Sequence, residues 1–183
     1  MEQSAIDHTK ENNWYVITGG PSSGKTTTVN LLKERGYITT VENARHFLDT
    51  QRLKGRTVDE VKKNQREFQL TVLQMQIDLE KEIAPKVQVF LDRAIPDALA
   101  YYRFLNLSVD EKLADALRTV SYKKVFIMDP LPFVNDYARL ENVEAQLKIH
   151  QLITEVYEAL PFPVIHVPVL PAEERVDFIL KNL

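Results

Sequence analysis

Short unbroken runs of apolar, largely β-branched residues punctuate the chain: Tyr15 to Thr18, Ile38 to Val41, Val87 to Leu91, Val125 to Met128 and Val164 to Val167. None alternates strictly with polar residues, which is the pattern of parallel strands covered on both faces. Between them, apolar positions recur every three or four residues and predict helices. One runs from about Gly24 to Arg35 and stops at Gly36, a natural C-terminal cap. A polar–apolar stretch spans roughly Val58 to Ala84 and ends before Pro85. Ser108 and Glu111 have the spacing of a capping box opening a short helix to about Thr119. From Val143 to Leu160 the positions Ile149, Leu152, Ile153, Val156 and Leu160 keep one helical face. Pro171 then opens a last helix on Val176, Ile179, Leu180 and Leu183.

Strands alternating with helices imply right-handed crossovers and a parallel sheet with helices on both faces, a three-layer α/β/α sandwich. With no internal repeat or linker, residues 14–183 read as a single domain behind a solvated leader, residues 1–13. That leader is too polar for a secretory signal, and no apolar run approaches membrane-spanning length. The expected location is the cytoplasm.

Composition removes several chemistries. The chain has no cysteine, which excludes thiol catalysis, thiolate metal sites and disulfides. A net charge of −3 argues against bulk binding to nucleic acid or an anionic membrane. His46, His150 and His166 share no metal-ligand spacing, and His166, inside a strand run, reads as a core residue. Monomer and homodimer both remain open.

The first strand runs into Gly19-Gly20-Pro21-Ser22-Ser23-Gly24-Lys25-Thr26-Thr27, where Gly19, Gly24, Lys25 and Thr26 fit G-x-x-x-x-G-K-[ST] between a strand and a helix. Glycines let the backbone turn its N–H groups inward, and the helix N-terminus adds a positive end. Lys25 is expected to reach the β- and γ-phosphates of a nucleoside triphosphate, and the Thr26 hydroxyl to ligate Mg²⁺.

The strand Val87 to Leu91 stops on Asp92 and Arg93. Ligands of open parallel sheets sit beyond the carboxyl ends of the strands, where the phosphate loop also lies. Four apolar residues followed by an acid suit a strand whose carboxylate, Asp92, holds Mg²⁺ directly or through water. Arg93 then meets the charge that develops on a transferring phosphoryl group, which a planar guanidinium fork matches better than a lysine. A plain Asp–Arg salt bridge closing the strand end is the alternative.

The stretch Asp92 to Tyr102, "DRAIPDALAYY", resembles the D-R-x-x-x-[SD]-x-x-A-[YF] segment of thymidylate kinases and, more loosely, the E-R-S segment of deoxynucleoside kinases. Thr18 to Thr27 resemble the T-G-G-P-x-x-G-K-[ST]-T loop of predicted P-loop ATPases and kinases that include the ribosylnicotinamide-kinase domain of NadR-type proteins. The resemblance covers most of the chain from Trp14 onward. It implies a five-stranded sheet of order 2-3-1-4-5, which puts Asp92 beside Thr26.

The resemblance also implies an acceptor side. Glu42, after the second run, falls where deoxynucleoside kinases carry the glutamate that takes the acceptor's hydroxyl proton; an ordinary Glu42–Arg45 pair in a first helical turn is equally available. Phe68 and Gln69 resemble a phenylalanine–glutamine pair that holds a base, although Phe68 suits a buried helix face. Arg45, Arg66 and Asp97 complete the acceptor candidates, Asp97 doubling as a first-turn helix acid. Residues 130–142 match the position of a phosphate lid, with Arg139 as its arginine and Arg45 in reserve. The lids of thymidylate and deoxynucleoside kinases often carry two or more arginines. This stretch has one, which shifts weight to Arg93.

The expectation is transfer of the ATP γ-phosphate, with Mg²⁺, to a small acceptor such as a nucleoside, nucleotide or ribosylnicotinamide-like compound. The alternative is a nucleotide-dependent ATPase or switch with no small-molecule acceptor. The fourth strand ends in "MDPLPF" without the [NT]-K-x-D guanine motif.

Overall fold

The computed structural model describes residues 11–132 and 140–183. Four parallel strands, β1 (Trp14–Thr18), β2 (Val89–Asp92), β3 (Lys124–Met128) and β4 (Val164–Val167), form one sheet of order β2-β1-β3-β4. The register sets Ile17 opposite both Asp92 on β2 and Phe126 on β3. The ends of β1 and β2 therefore open at one level.

The sheet has four strands where five of order 2-3-1-4-5 were expected: the second run is missing, and the other four keep the relative order 3-1-4-5. Ile38 to Val41 makes a single parallel bridge, Thr39 to Phe90, and is not a strand. Phe90 N–H reaches Ile38 O at 2.9 Å and Thr40 N–H reaches Phe90 O at 3.1 Å, so pairing begins. It stops at the next ladder position, where Asp92 N–H is taken by the Thr40 hydroxyl at 2.9 Å instead of a backbone carbonyl. Ile38 and Val41 consequently stay exposed, and β2 is the outermost strand of the ladder.

Helices α1 (Lys25–Glu34), α2 (Asn43–Leu53), α3 (Val58–Lys62), α4 (Gln65–Glu82), α5 (Ile95–Phe104), α6 (Glu111–Thr119), α7 (Leu140–Glu158) and α8 (Ala172–Lys181) complete the described residues. The expected long helix from Val58 is broken, because Asn64 turns extended and its side chain caps Glu67 N–H, starting α4 afresh. The capping box expected at Ser108–Glu111 is absent. Asp110 is the N-cap of α6, accepting Leu113 N–H at 2.9 Å.

Alternate residues along the strands feed two cores, which explains their unbroken apolar runs. Val16, Leu91, Val125 and Ile127 pack with α5 and α7 on one face, while Tyr15, Ile17, Phe90 and Phe126 pack with α1 and α8 on the other. Thr18 and Asp92, the last residues of β1 and β2, belong to neither apolar core. Among the described residues, no helix is long and apolar enough to cross a membrane.

Candidate active site

β1 delivers the chain into Gly19, whose φ of 147° lies outside the range that side chains tolerate, and a Cβ there would stand 2.8 Å from Met128 O. The loop closes at Gly24 (φ 78°), the N-cap of α1. Gly20 is required for another reason. A Cβ on it would lie 2.7 Å from His150 Cβ and 3.0 Å from Gln146 O, so α7 packs directly on the loop. Gly20 N–H donates to His150 Nδ1 at 3.1 Å, and burial holds that imidazole below its ordinary value, which keeps the ring nitrogen an acceptor.

Lys25, Glu42, Asp92 and Arg93 meet in one chain of ion pairs. Lys25 Nζ is bonded to Asp92 Oδ1 and lies 3.1 Å from Glu42 Oε2. Arg93 Nε lies 3.2 Å from Glu42 Oε1, and Arg93 Nη1 donates to Gly19 O at 3.1 Å and to Asp97 Oδ1 at 2.9 Å. Burial disfavours the charge on Glu42, but Arg93 and Lys25 outweigh it and hold the carboxyl at about 2. For Asp92 burial wins against Lys25 and the shift is upward.

Arg93 reaches these partners from a left-handed backbone (φ 67°), its N–H still bonded to Ile17 O at 3.0 Å as if the ladder continued. The twist turns the chain from β2 into α5 and swings the guanidinium back over the loop's first carbonyl. Pro96 fits the opening of α5, where no intrahelical N–H bond is needed.

Asp97 is buried and fully engaged. Oδ1 accepts from Thr18 Oγ1 (2.5 Å) and Arg93, while Oδ2 accepts from Ala94 N–H (3.1 Å) and Tyr157 OH (2.6 Å). It borders the cavity described next, and its bonds tie Arg93 and the start of α5 to the end of β1 and to α7.

A cavity of about 610 Å³ opens beside Glu42 and Arg93, within the usual range for small-ligand sites. Phe68, Gln69 and Gln76 from α4 and Tyr101 and Phe104 from α5 line it, Arg45 and Asp49 from α2 border it, and Pro21 joins it to the phosphate loop. Arg45 is exposed, whereas Phe68 and Gln69 are buried, with Phe68 5.8 Å from the Phe47 ring. Arg66 is not brought to the site. Its guanidinium donates to Ser108 O at 3.2 Å and lies 3.8 Å from Asp110, outside the cavity lining. Arg139 and most of the expected lid, residues 133–139, lie outside the described residues.

Thr26 is half-buried in the first turn of α1. Thr26 and Asp92 offer a hydroxyl and a carboxylate, hard oxygen donors of the kind Mg²⁺ takes while keeping several waters. Among the described residues no cluster of three His, Asp or Glu forms a self-contained metal cage. Ser23 Oγ is buried in the loop without a hydrogen-bond partner among the described residues, a hydroxyl that suits a loop built around an anion.

Sequence reading missed the supports behind these residues. On α4, Gln76 Nε2 donates to Glu80 Oε1 at 2.8 Å, Gln76 Oε1 accepts from Asn43 at 2.7 Å, and Tyr122 OH donates to Glu80 Oε2 at 2.9 Å. Gln69, Gln76 and Glu80 share a helical face with Leu73, and polar residues on an otherwise apolar stripe were the available signal. His166, expected in the core, is instead exposed between Glu158 and Asp129.

A glycine-rich loop between β1 and α1, with an acid at the end of the neighbouring parallel strand, defines a P-loop NTPase of kinase-like fold. The chain belongs to the AAA domain family AAA_28, whose profile matches residues 14–175. No curated protein sequence matches it. Among solved structures it is similar to a NadR protein in complex with NR, at 19% identity and a TM-score of 0.63, over 93% of this chain and 51% of that one. It therefore spans about half the length of that protein. Similar too are deoxyadenosine kinase from M. mycoides with dATP bound (16% identity, TM-score 0.60, covering 92% and 97%) and thymidylate kinase from Candida albicans (14%, 0.58, 94% and 91%). At these identities the likeness is one of fold.

Proposed function

We propose that this protein transfers the γ-phosphate of ATP to a hydroxyl or phosphate of a small acceptor held in the 610 Å³ cavity, a nucleoside, nucleotide or ribosylnicotinamide-like compound. The observation that carries this reading is the position of Glu42. One of its oxygens holds Lys25 of the phosphate loop and the other holds Arg93 at the cavity wall. A carboxylate at that seam touches both halves of a transfer reaction.

When phosphates enter the loop, the Lys25 ammonium exchanges its carboxylate partners for phosphate oxygens. Glu42 then loses a cation that holds its pKa down, becomes more basic, and accepts the acceptor hydroxyl's proton. Arg93 keeps its planar fork against Gly19 O and Asp97 and presents charge to the phosphoryl group in flight. Thr26 and Asp92 are the residues that would hold Mg²⁺, which neutralises phosphate charge when bound. Gln69 and Arg45 are the acceptor-side candidates on the cavity, and Arg139 remains the proposed lid arginine. The TM-scores to kinases that act on small nucleosides and nucleotides support the class.

The test is ADP release from Mg·ATP by purified protein, alone and with a panel of nucleosides, nucleoside monophosphates and ribosylnicotinamide, with Lys25→Ala as blank. Acceleration by one acceptor, lost in Glu42→Gln, supports the kinase. Slow release indifferent to every acceptor overturns it in favour of an ATPase or switch.

A further inference from the structure

Arg175, in the first turn of α8, is 2% exposed, yet no carboxylate lies within ion-pair distance of it among the described residues. Its guanidinium is spent on three backbone carbonyls. Nη1 donates to Ser23 O in the phosphate loop, Nη2 to Asp129 O after β3 at 2.7 Å, and Nε to Pro168 O after β4 at 3.0 Å. A buried cation satisfied only by neutral acceptors keeps much of its desolvation cost. The location adds to that cost, because the first turn of a helix disfavours positive charge. Glu173 and Asp177 are both engaged by Arg35 of α1, and Asp129, whose charge favours the guanidinium, gives it only a backbone oxygen and does not offset the burial. Neither the stability of α8 nor an internal ion pair accounts for an arginine here.

Its place against the loop does. Nη1 would stand 3.1 Å from a Cβ on Gly24, so the charge lies directly under the last glycine of the cradle. The peptide plane is rigid, with C=O and N–H pointing in opposite directions. Fixing Ser23 C=O on the outer side aims the N–H of Gly24 to the inner side, where an anion would sit.

Building on the nucleotide-binding reading above, we infer that Arg175 is a nucleotide-positioning residue, which orients the Ser23–Gly24 peptide and supplies a buried positive charge whose counter-charge is the bound polyphosphate. The same side chain ties the loop to the ends of β3 and β4. It acts on phosphate through the loop backbone and through its charge, without touching the acceptor.

The experiment is equilibrium binding of ATP, ADP and AMP to wild type, Arg175→Met and Arg175→Lys, with thermal melting of each protein alongside. A role in positioning predicts that Arg175→Met weakens ATP by at least about tenfold and AMP by less than about threefold, as loss of a charge-assisted contact to the polyphosphate requires. Arg175→Lys keeps the charge but not the three-way fork, and lies between. A lowered melting temperature with the wild-type ATP-to-AMP ratio in Arg175→Met overturns the inference and leaves Arg175 a structural tie. If Arg175→Met does not fold, the lysine variant decides, because an unchanged ratio there overturns it equally. Wild-type protein that binds none of the three nucleotides overturns the nucleotide reading itself.

Discussion

Glu42 and Arg93 form an ion pair in the wall of the cavity, Glu42 Oε1 3.2 Å from Arg93 Nε, while the other Glu42 oxygen holds Lys25. The pair couples a residue of the irregular segment after α1 to the residue that follows β2. Neither is a free surface charge, so any ligand entering either half must rearrange the same three side chains.

Replacing Glu42 by Gln removes the proton acceptor and leaves the shape. Lys25 retains Asp92, and Arg93 retains Asp97, so the fold is expected to survive. Acceptor-dependent turnover should fall by roughly 10²–10⁴-fold with little change in ATP affinity, the usual size of a lost general base. Steady-state kcat against the ATP dissociation constant is the measurement. An unchanged kcat would return Glu42 to a purely structural ion pair.

Arg93 carries two separable features, its ion pairs and its left-handed backbone. Both Arg93→Ala and Arg93→Gly lose the same side-chain contacts, but only alanine retains the cost of a positive φ. Arg93→Gly is therefore expected to be the more stable of the two by about 1 kcal/mol, read from urea midpoints. Equal midpoints would mean that the backbone relaxes once the guanidinium is gone.

How far the sequence foretold these contacts follows from where the partners lie. The phosphate loop is nine consecutive residues, and consecutive residues are legible because local backbone dictates their types. Asp92 and Arg93 were legible as the polar end of a buried strand. The fifth strand was not, since Ile38 to Val41 has the right residues, yet its pairing ends where the Thr40 hydroxyl takes Asp92 N–H. That competition between side chain and ladder is invisible to pattern. Asp97 lines the cavity, but its bonds to Thr18 and Tyr157 span 79 and 60 residues and were not legible. His150 and Arg175 reach the loop from 130 and 152 residues away, and no local spacing could have announced them.

The contact between α7 and the loop gives a steric prediction. Gly20→Ala would place a methyl 2.7 Å from His150 Cβ and 3.0 Å from a backbone oxygen, neither of which can swing aside. Overpacking of this kind costs typically about 1–3 kcal/mol. If the loop moves to relieve the contact, ATP affinity should fall with stability. A variant with wild-type melting temperature and affinity would show that α7 yields instead.

Glu80 gives a pH dependence whose sign is set by burial. Buried in the core, its carboxyl is pushed up to about 7 despite bonds from Gln76, Tyr122 and Ile95 N–H. In the unfolded chain it ionises near its ordinary value of 4.5. Between those two pH values the folded protein holds a proton that the unfolded chain has released. Stability from this group is therefore full below about 4.5 and is lost as pH rises through about 7, by an amount on the order of 3 kcal/mol. Gln at this position imitates the protonated acid: its oxygen can accept from Gln76 and Ile95, and its amide can donate to the Tyr122 oxygen. Glu80→Gln should match wild type in urea midpoint at about pH 5 and exceed it at about pH 8.5, where wild type holds an ionised carboxylate in the core. A Gln variant less stable than wild type at both pH values would mean that Glu80 is folded as a carboxylate. Its three hydrogen bonds would then outweigh the cost of burial.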